Sequence, residues 1–128
     1  MWIAPILILA VLCVTMVWIA MRKRRLKIPM AMRGVLRGQW EHAVSLQDPE
    51  KRLMEAEKIM HQAFRLMRLE GSFGEVLKRY GPRIAGEDQL WQAHKLRNRL
   101  AHEPGFHPAT AQLDRAVAVF ERTLQSFL

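Results

Sequence analysis

From Met1 to Met21 no residue carries a charge, and Ile, Leu, Val, Ala and Met fill most positions. At about 1.5 Å rise per residue, such a run reaches across the roughly 30 Å hydrocarbon core of a bilayer. Trp2 and Trp18 fall near its two ends, where amphipathic rings settle at headgroup depth. Pro5 falls in the first turn, where a missing backbone N–H costs little. A buried core helix is rarely apolar on all sides for so long. A cleaved signal peptide carries its bases before a shorter apolar core and a small-residue site after it. Here the bases follow the run directly and no Ala-x-Ala site comes after it. The pattern predicts a transmembrane helix over residues 1–21.

Beyond the run the period changes to that of amphipathic helices, and no convincing alternation of strand type appears. Residues 28–34, punctuated by Pro29 and Gly34, read as a short linker. Val35, Leu36, Trp40, Ala43, Val44 and Leu46 recur at spacings of three and four and mark one helical face. Asp48-Pro49 then supplies a cap and a first helical residue. The next helix has the clearest stripe, Leu53, Ala56, Ile59, Met60, Ala63, Phe64 and Met67, with Glu50, Lys51, Glu57, Lys58 and Arg65 assigned to the opposite face. Gly71 is expected to close it. Ser72 opens a shorter helix over 73–80, and Glu75 completes a capping box. Gly81-Pro82 and Gly86 mark a loop, and a fourth helix runs from Glu87 to about His102, before Pro104. Pro108 and Ala109 begin a last helix with Leu113, Ala116, Val117, Phe120, Leu124 and Phe127 on one side. The fold class expected is all-α: an N-terminal transmembrane helix, a basic juxtamembrane linker over 22–34, and a four- to five-helix up-down bundle over 35–128.

Charge sharpens this division. The chain of 128 residues holds 20 Lys and Arg against 12 Asp and Glu, a net of +8. Arg22, Lys23, Arg24, Arg25 and Lys27 lie within six positions, leaving a net of only +3 for the remainder. Bases beside a span stay on the cytoplasmic side, so the N-terminus is expected outside and the bundle inside. The same bases sit within reach of anionic headgroups. Cys13 is the only cysteine and lies in the apolar run. No intrachain disulfide can form, and five scattered His without Cys lack metal-ligand spacing, so neither metal nor cofactor is expected.

The chemistry concentrates in Leu90-Trp-Gln-Ala-His-Lys-Leu-Arg-Asn-Arg-Leu-Ala-His-Glu-Pro104. His94, Asn98 and His102 recur every fourth residue and form a polar column, which Arg97 borders. On an ideal helix Arg97 and His102 stand about 140° apart and do not meet, unless the helix frays or a partner subunit completes the site. His102 falls at the helix C-terminus, whose dipole favours a cation. An imidazole that titrates near neutrality moves protons, and a guanidinium fork binds phosphate. Together they are the parts needed to act on a phosphodiester without a metal. The plain alternative is a helix-terminal polar cluster, with Arg97 paired to Glu87 or another acid and His102 capping carbonyls. Trp91 and Trp40 read as core or interface anchors, and His107 as ordinary surface.

Arg97-Asn98-x-x-x-His102, within Trp91-x-x-His94-x-x-Arg97-Asn98-x-x-Ala101-His102-Glu103, resembles the signature of HEPN domains: Arg, a polar residue, then His. The resemblance extends over most of residues 35–128. It implies an all-α bundle that dimerises and brings two signatures into one cleft. Many members are metal-independent endoribonucleases of toxin and antiviral systems; others keep the fold as a binding or dimerisation module. By that resemblance Arg97 binds or polarises the scissile phosphate, His102 is general acid or base, and Asn98 orients the pair. The ribose 2′-hydroxyl attacks and leaves a cyclic phosphate. His94 is a supporting residue of open role. The partners so implied are the lipid bilayer, a second copy of the chain, RNA or a nucleotide, and an antitoxin-like protein. Two functions compete: a membrane-tethered RNase, and a non-catalytic anchored module that dimerises or binds a nucleotide or partner. A small helical subunit of a larger membrane complex is a third reading.

Overall fold

A computed structural model describes the backbone of residues 2–22 and 24–128. Among the described residues the chain forms six α-helices and no strand: α1 (Ile3–Arg22), α2 (Met30–Ser45), α3 (Pro49–Leu66), α4 (Phe73–Tyr80), α5 (Glu87–His102) and α6 (Thr110–Phe127), with a single 3-10 turn at Gly81–Arg83. Ile3–Met21 of α1 is long and apolar enough to cross a membrane, and none of it is buried against the protein. The expected all-α architecture is therefore observed, an apolar helix followed by a bundle of five.

Side-chain caps account for the starts of α3 and α4. Asp48 Oδ1 accepts from the N–H groups of Glu50 (2.9 Å) and Lys51 (3.4 Å), with Pro49 at the first helical position. Ser72 and Glu75 exchange the reciprocal bonds of a capping box, Ser72 N to Glu75 Oε2 at 2.7 Å and Glu75 N to Ser72 Oγ at 3.3 Å. These hydrogen bonds hold the Glu75 carboxyl below its ordinary value, the Ser72 backbone N–H contributing most.

Packing follows the apolar stripes. Phe64, Leu53 and Met60 of α3, Leu90 of α5 and Leu113 and Phe120 of α6 are fully buried, each worth about 1.5–3 kcal/mol in transfer terms. Phe64 joins Phe73 and Phe127 at ring-centroid distances of 5.0 and 6.2 Å, and Phe73 meets Phe120 edge-on at 5.9 Å. The bundle has two distinct ends. Arg52 near the start of α3 pairs with Asp114 near the start of α6 at 3.1 Å, so these helices run in parallel. Arg122 near the end of α6 bonds Gln89 near the start of α5 at 3.3 Å, so those two are antiparallel. Ile28 N donates to Phe127 O at 2.8 Å, which sets the start of α2 beside the end of α6. The end nearest α1 thus holds the start of α2, the 3-10 turn, the start of α5 and the end of α6. The far end holds His102 and the start of α6.

Several expectations fail here for identifiable reasons. The segment 22–34 is not a free linker. Residues 24–29 are not helical, and Ile28 within them is only 1% exposed. Helix α2 already begins at Met30, so Gly34 lies inside it, on an exposed surface where a Cβ would meet nothing. An exposed helical glycine costs about 1 kcal/mol, and burial of Leu36, Trp40 and Ala43 on the same helix outweighs it. Val35 and Val44, placed on the apolar face of α2 by spacing, are 48% and 40% exposed. Gly71 does not close α3. The helix ends five residues earlier, with Arg68 in the left-handed region at φ 61°. Leu69 N donates to Phe64 O and Arg68 N to Arg65 O, both at 2.9 Å, the paired bonds of a Schellman ending. Burial of Leu69, 4% exposed, fixes the chain there despite the non-glycine residue.

Candidate functional site

Helix α5 starts from Gly86, whose φ of 75° is readily adopted only without a side chain. Glu87 and Asp88 in its first turn suit the positive end of the helix dipole. Leu90, Ala93 and Leu96 are buried as the spacing requires. His94 departs from the expected polar column, because it is also buried and stacks on Phe73 at 4.7 Å with an interplanar angle of 21°. Trp91 approaches the same imidazole edge-on at 6.0 Å. Gly74 of α4 leaves the other approach open: a Cβ there would lie 3.6 Å from His94 Nε2.

The acid that meets this imidazole is Glu57 of α3, 6% exposed, with its Oε2 2.9 Å from His94 Nδ1. Glu57 had been assigned to the polar face of α3, and the structure places it inward instead. Its position was legible in part: it stands four residues after Leu53 and three before Met60, on the apolar stripe itself. A lone acid in such a stripe signals a buried partner, since an unpaired carboxylate there would be strongly destabilising.

Arg97 and Asn98 complete a closed ring with this pair. Asn98 Nδ2 lies 3.2 Å from His94 Nε2, and Arg97 Nη1 donates to Asn98 Oδ1 at 3.4 Å. Arg97 Nε lies 3.3 Å from Glu57 Oε1, within ion-pair range but off the line of a hydrogen bond. With Glu57 as a carboxylate the protons are assigned around the ring: His94 Nδ1–H donates to Glu57, and Asn98 Nδ2–H donates to His94 Nε2. Both imidazole nitrogens are thereby occupied, so His94 positions its neighbours and has no lone pair left for a substrate proton. The Arg97 side chain keeps 22% of its exposure, and no hydrogen bond holds its Nη2 among the described residues. That edge of the guanidinium is what remains for an incoming acceptor. Glu57 offsets its charge.

The other half of the expected site lies elsewhere. His102 is exposed in the last turn of α5, about 7.5 Å further along the axis and about 140° round from Arg97. The monomer does not bring the two together. The loop after His102 is held by its neighbours: Arg99 Nε donates to Glu103 Oε2 at 2.9 Å, and the Arg99 guanidinium lies 3.9 Å from the centroid of Phe106. The hydrogen bond from Arg99 holds the Glu103 carboxyl below its ordinary value, and the same bond raises Arg99. His107 is more than ordinary surface, because its Nδ1 lies 2.8 Å from Glu50 Oε1 and links the loop to the start of α3.

A groove of about 470 Å³ opens along the Ala93 and Leu96 face of α5, against α6. Arg115, Arg122, Gln89 and Gln112 line it, with no acid among the lining residues. Among the described residues no group of three or more His, Cys, Asp or Glu side chains stands close enough to hold a metal ion. Of the bases that follow α1, Arg24 and Arg25 are exposed. Lys27 is turned to the bundle, its Nζ donating to Ser126 O and Leu128 O at 3.2 Å each. The side chain of Arg22 and the whole of Lys23 lie outside the described residues.

No family model, curated protein or solved structure matches the chain. The functional reading therefore rests on the side chains themselves.

Proposed function

We propose that the chain is a membrane-anchored, HEPN-like endoribonuclease that works without a metal and assembles its cleft from two subunits. The carrying observation is the closed ring of Glu57, His94, Asn98 and Arg97. Glu57 and His94 are buried, and burying such groups is costly unless they are paired. Arg97 and Asn98 are half-buried, and the Nη2 edge of Arg97 has no partner among the described residues. Arg97 binds the scissile phosphate with that edge, while Glu57, His94 and Asn98 fix its orientation. His102 of a second subunit serves as general acid or base, and the ribose 2′-hydroxyl is the nucleophile. The groove with Arg115 and Arg122 supplies positive charge for the RNA backbone. Helix α1 spans the membrane with its N-terminus outside, and the bases after it keep the bundle in the cytoplasm. His102 stands 15 residues along α5 from the membrane-facing end, about 22 Å from it, so the cleft opens toward soluble RNA.

The alternative is a non-catalytic anchored module that dimerises or binds a nucleotide or a partner protein of antitoxin type. One observation favours it: Glu57 neutralises Arg97 within the ring, which lowers the attraction of a phosphate. The full chain in detergent micelles, incubated with RNA in EDTA beside Arg97→Ala and His102→Ala variants, separates the two. The RNase reading expects cleavage by the parent and loss of about 10²-fold or more in each variant. Equal cleavage by parent and variants, or none by any of them, leaves the binding module.

A further inference from the structure

We infer that Arg83, with Arg24 and Arg25, forms a binding site for anionic lipid headgroups where the chain leaves the membrane. The inference rests on α1 being a membrane span. Met21 is the last apolar residue of that helix. Arg24 N still bonds back to Met21 O at 3.3 Å, and from there the chain is non-helical as far as Pro29. Arg83, 59 residues away in sequence, donates from Nη2 to Arg24 O at 2.8 Å. A carbonyl three residues past the apolar run lies at headgroup depth, so the guanidinium held on it lies there too. The backbone of Arg83 is itself fixed, because the 3-10 turn Gly81–Arg83 closes with Ile84 N on Gly81 O at 2.8 Å, and Ile84 is buried.

The juxtamembrane sequence alone would assign lipid contact to Arg24, Arg25 and Lys27 alike. The structure redistributes these roles. Lys27 is occupied by the last carbonyls of α6, where a cation suits the helix dipole. Arg83 takes its place at the membrane, beside the exposed Arg24 and Arg25. Met30, 79% exposed at the same end of the bundle, offers an apolar contact for the acyl boundary. Glu87 and Asp88 begin α5 at this end as well, so preference for an anionic lipid rests on the exposed forks of Arg24 and Arg25, while Arg83, with Nε buried and Nη2 on Arg24 O, adds its charge and a single donor through Nη1. Arg83, already held by its hydrogen bond, loses less side-chain freedom when Nη1 donates to a phosphate.

The test uses the full chain in nanodiscs of phosphatidylcholine doped with phosphatidylglycerol, with co-released lipid counted by native mass spectrometry. The parent is expected to retain phosphatidylglycerol preferentially. Arg83→Gln should lower that preference about fivefold, the factor matching about 1 kcal/mol per base near an anionic surface. The double variant Arg24→Gln, Arg25→Gln, at exposed positions that leave the fold alone, should lower it further. Arg115→Gln, in the α5–α6 groove, should leave it unchanged. Unaltered preference in the double variant, or in a folded Arg83→Gln chain, overturns the site. A chain that alkaline carbonate strips from vesicles overturns the span, and the site with it. A chain that resists carbonate yet shows no lipid preference overturns the site alone.

Discussion

Two parts of α5 carry the residues of the proposed cleft and are built in opposite ways. Around Arg97 and Asn98, a hydrogen bond to Glu57 of α3 and the stack of Phe73 of α4 hold His94, and Asn98 and Arg97 bond onward from it. Around His102, five residues on, the side chain is exposed and only the loop behind it is held, by exposed contacts. One half of the proposed cleft is thus set by the monomer's core, and the other is left for a second subunit to complete. A signature in sequence fixes residue types; burial decides which of them the fold can hold in place alone.

The contrast is broken most sharply at Glu57. Replacing it with Ala leaves His94 and Arg97 facing an empty, buried position, and should cost about 3–5 kcal/mol in urea unfolding of the full chain in micelles. A cost under about 1 kcal/mol would mean the ring is incidental. Glu57→Gln keeps the shape and one acceptor while removing the charge, and should cost about 1–3 kcal/mol. Arg68→Gly relieves the left-handed backbone at the end of α3 and should stabilise by about 0.5–1 kcal/mol, once the added chain entropy of glycine is set against the relief. His102→Ala should leave stability within about 0.5 kcal/mol of the parent, as expected for an exposed position.

Acid should loosen both the His102 end, through Glu103, and the start of α4, through Glu75. Glu103 and Glu75 have carboxyls held below the ordinary value of 4.5 in the folded state. A depressed carboxyl contributes stability that is fully present above its unfolded value and is lost as pH falls through its folded value. Melting temperature should therefore fall as pH drops below 4.5. Glu103→Gln should lower the melting temperature at pH 7, and the difference from the parent should shrink as pH falls. An unchanged melting temperature at pH 7 would show that the Arg99–Glu103 contact contributes nothing.

The legible features of the sequence were those set by local rules. The apolar run, the Asp48-Pro49 and Ser72-Glu75 caps and the stripes of α3 and α6 depend on neighbours within a few residues, and they appear in the structure, except that Met67 falls just past the end of α3 and Glu57 joins its buried face. The illegible ones depend on distant partners. Ile28 is buried because Phe127 stands beside it, about 100 residues later. Arg68, not Gly71, turns left-handed because Leu69 must reach the core. Glu57 points inward because His94 and Arg97 wait there, although spacing on its own helix already hinted at it. Asn98 and Arg97 were correctly placed as neighbours; the partner that fixes them was missed.

A mixing experiment tests the two-subunit cleft most directly. Arg97→Ala and His102→Ala chains, each inactive alone, are co-reconstituted in micelles and assayed on RNA in EDTA. If guanidinium and imidazole come from different subunits, mixed dimers regain one intact cleft of two, and activity should return to about a quarter of the parent rate. A mixture as inactive as its components would contradict it.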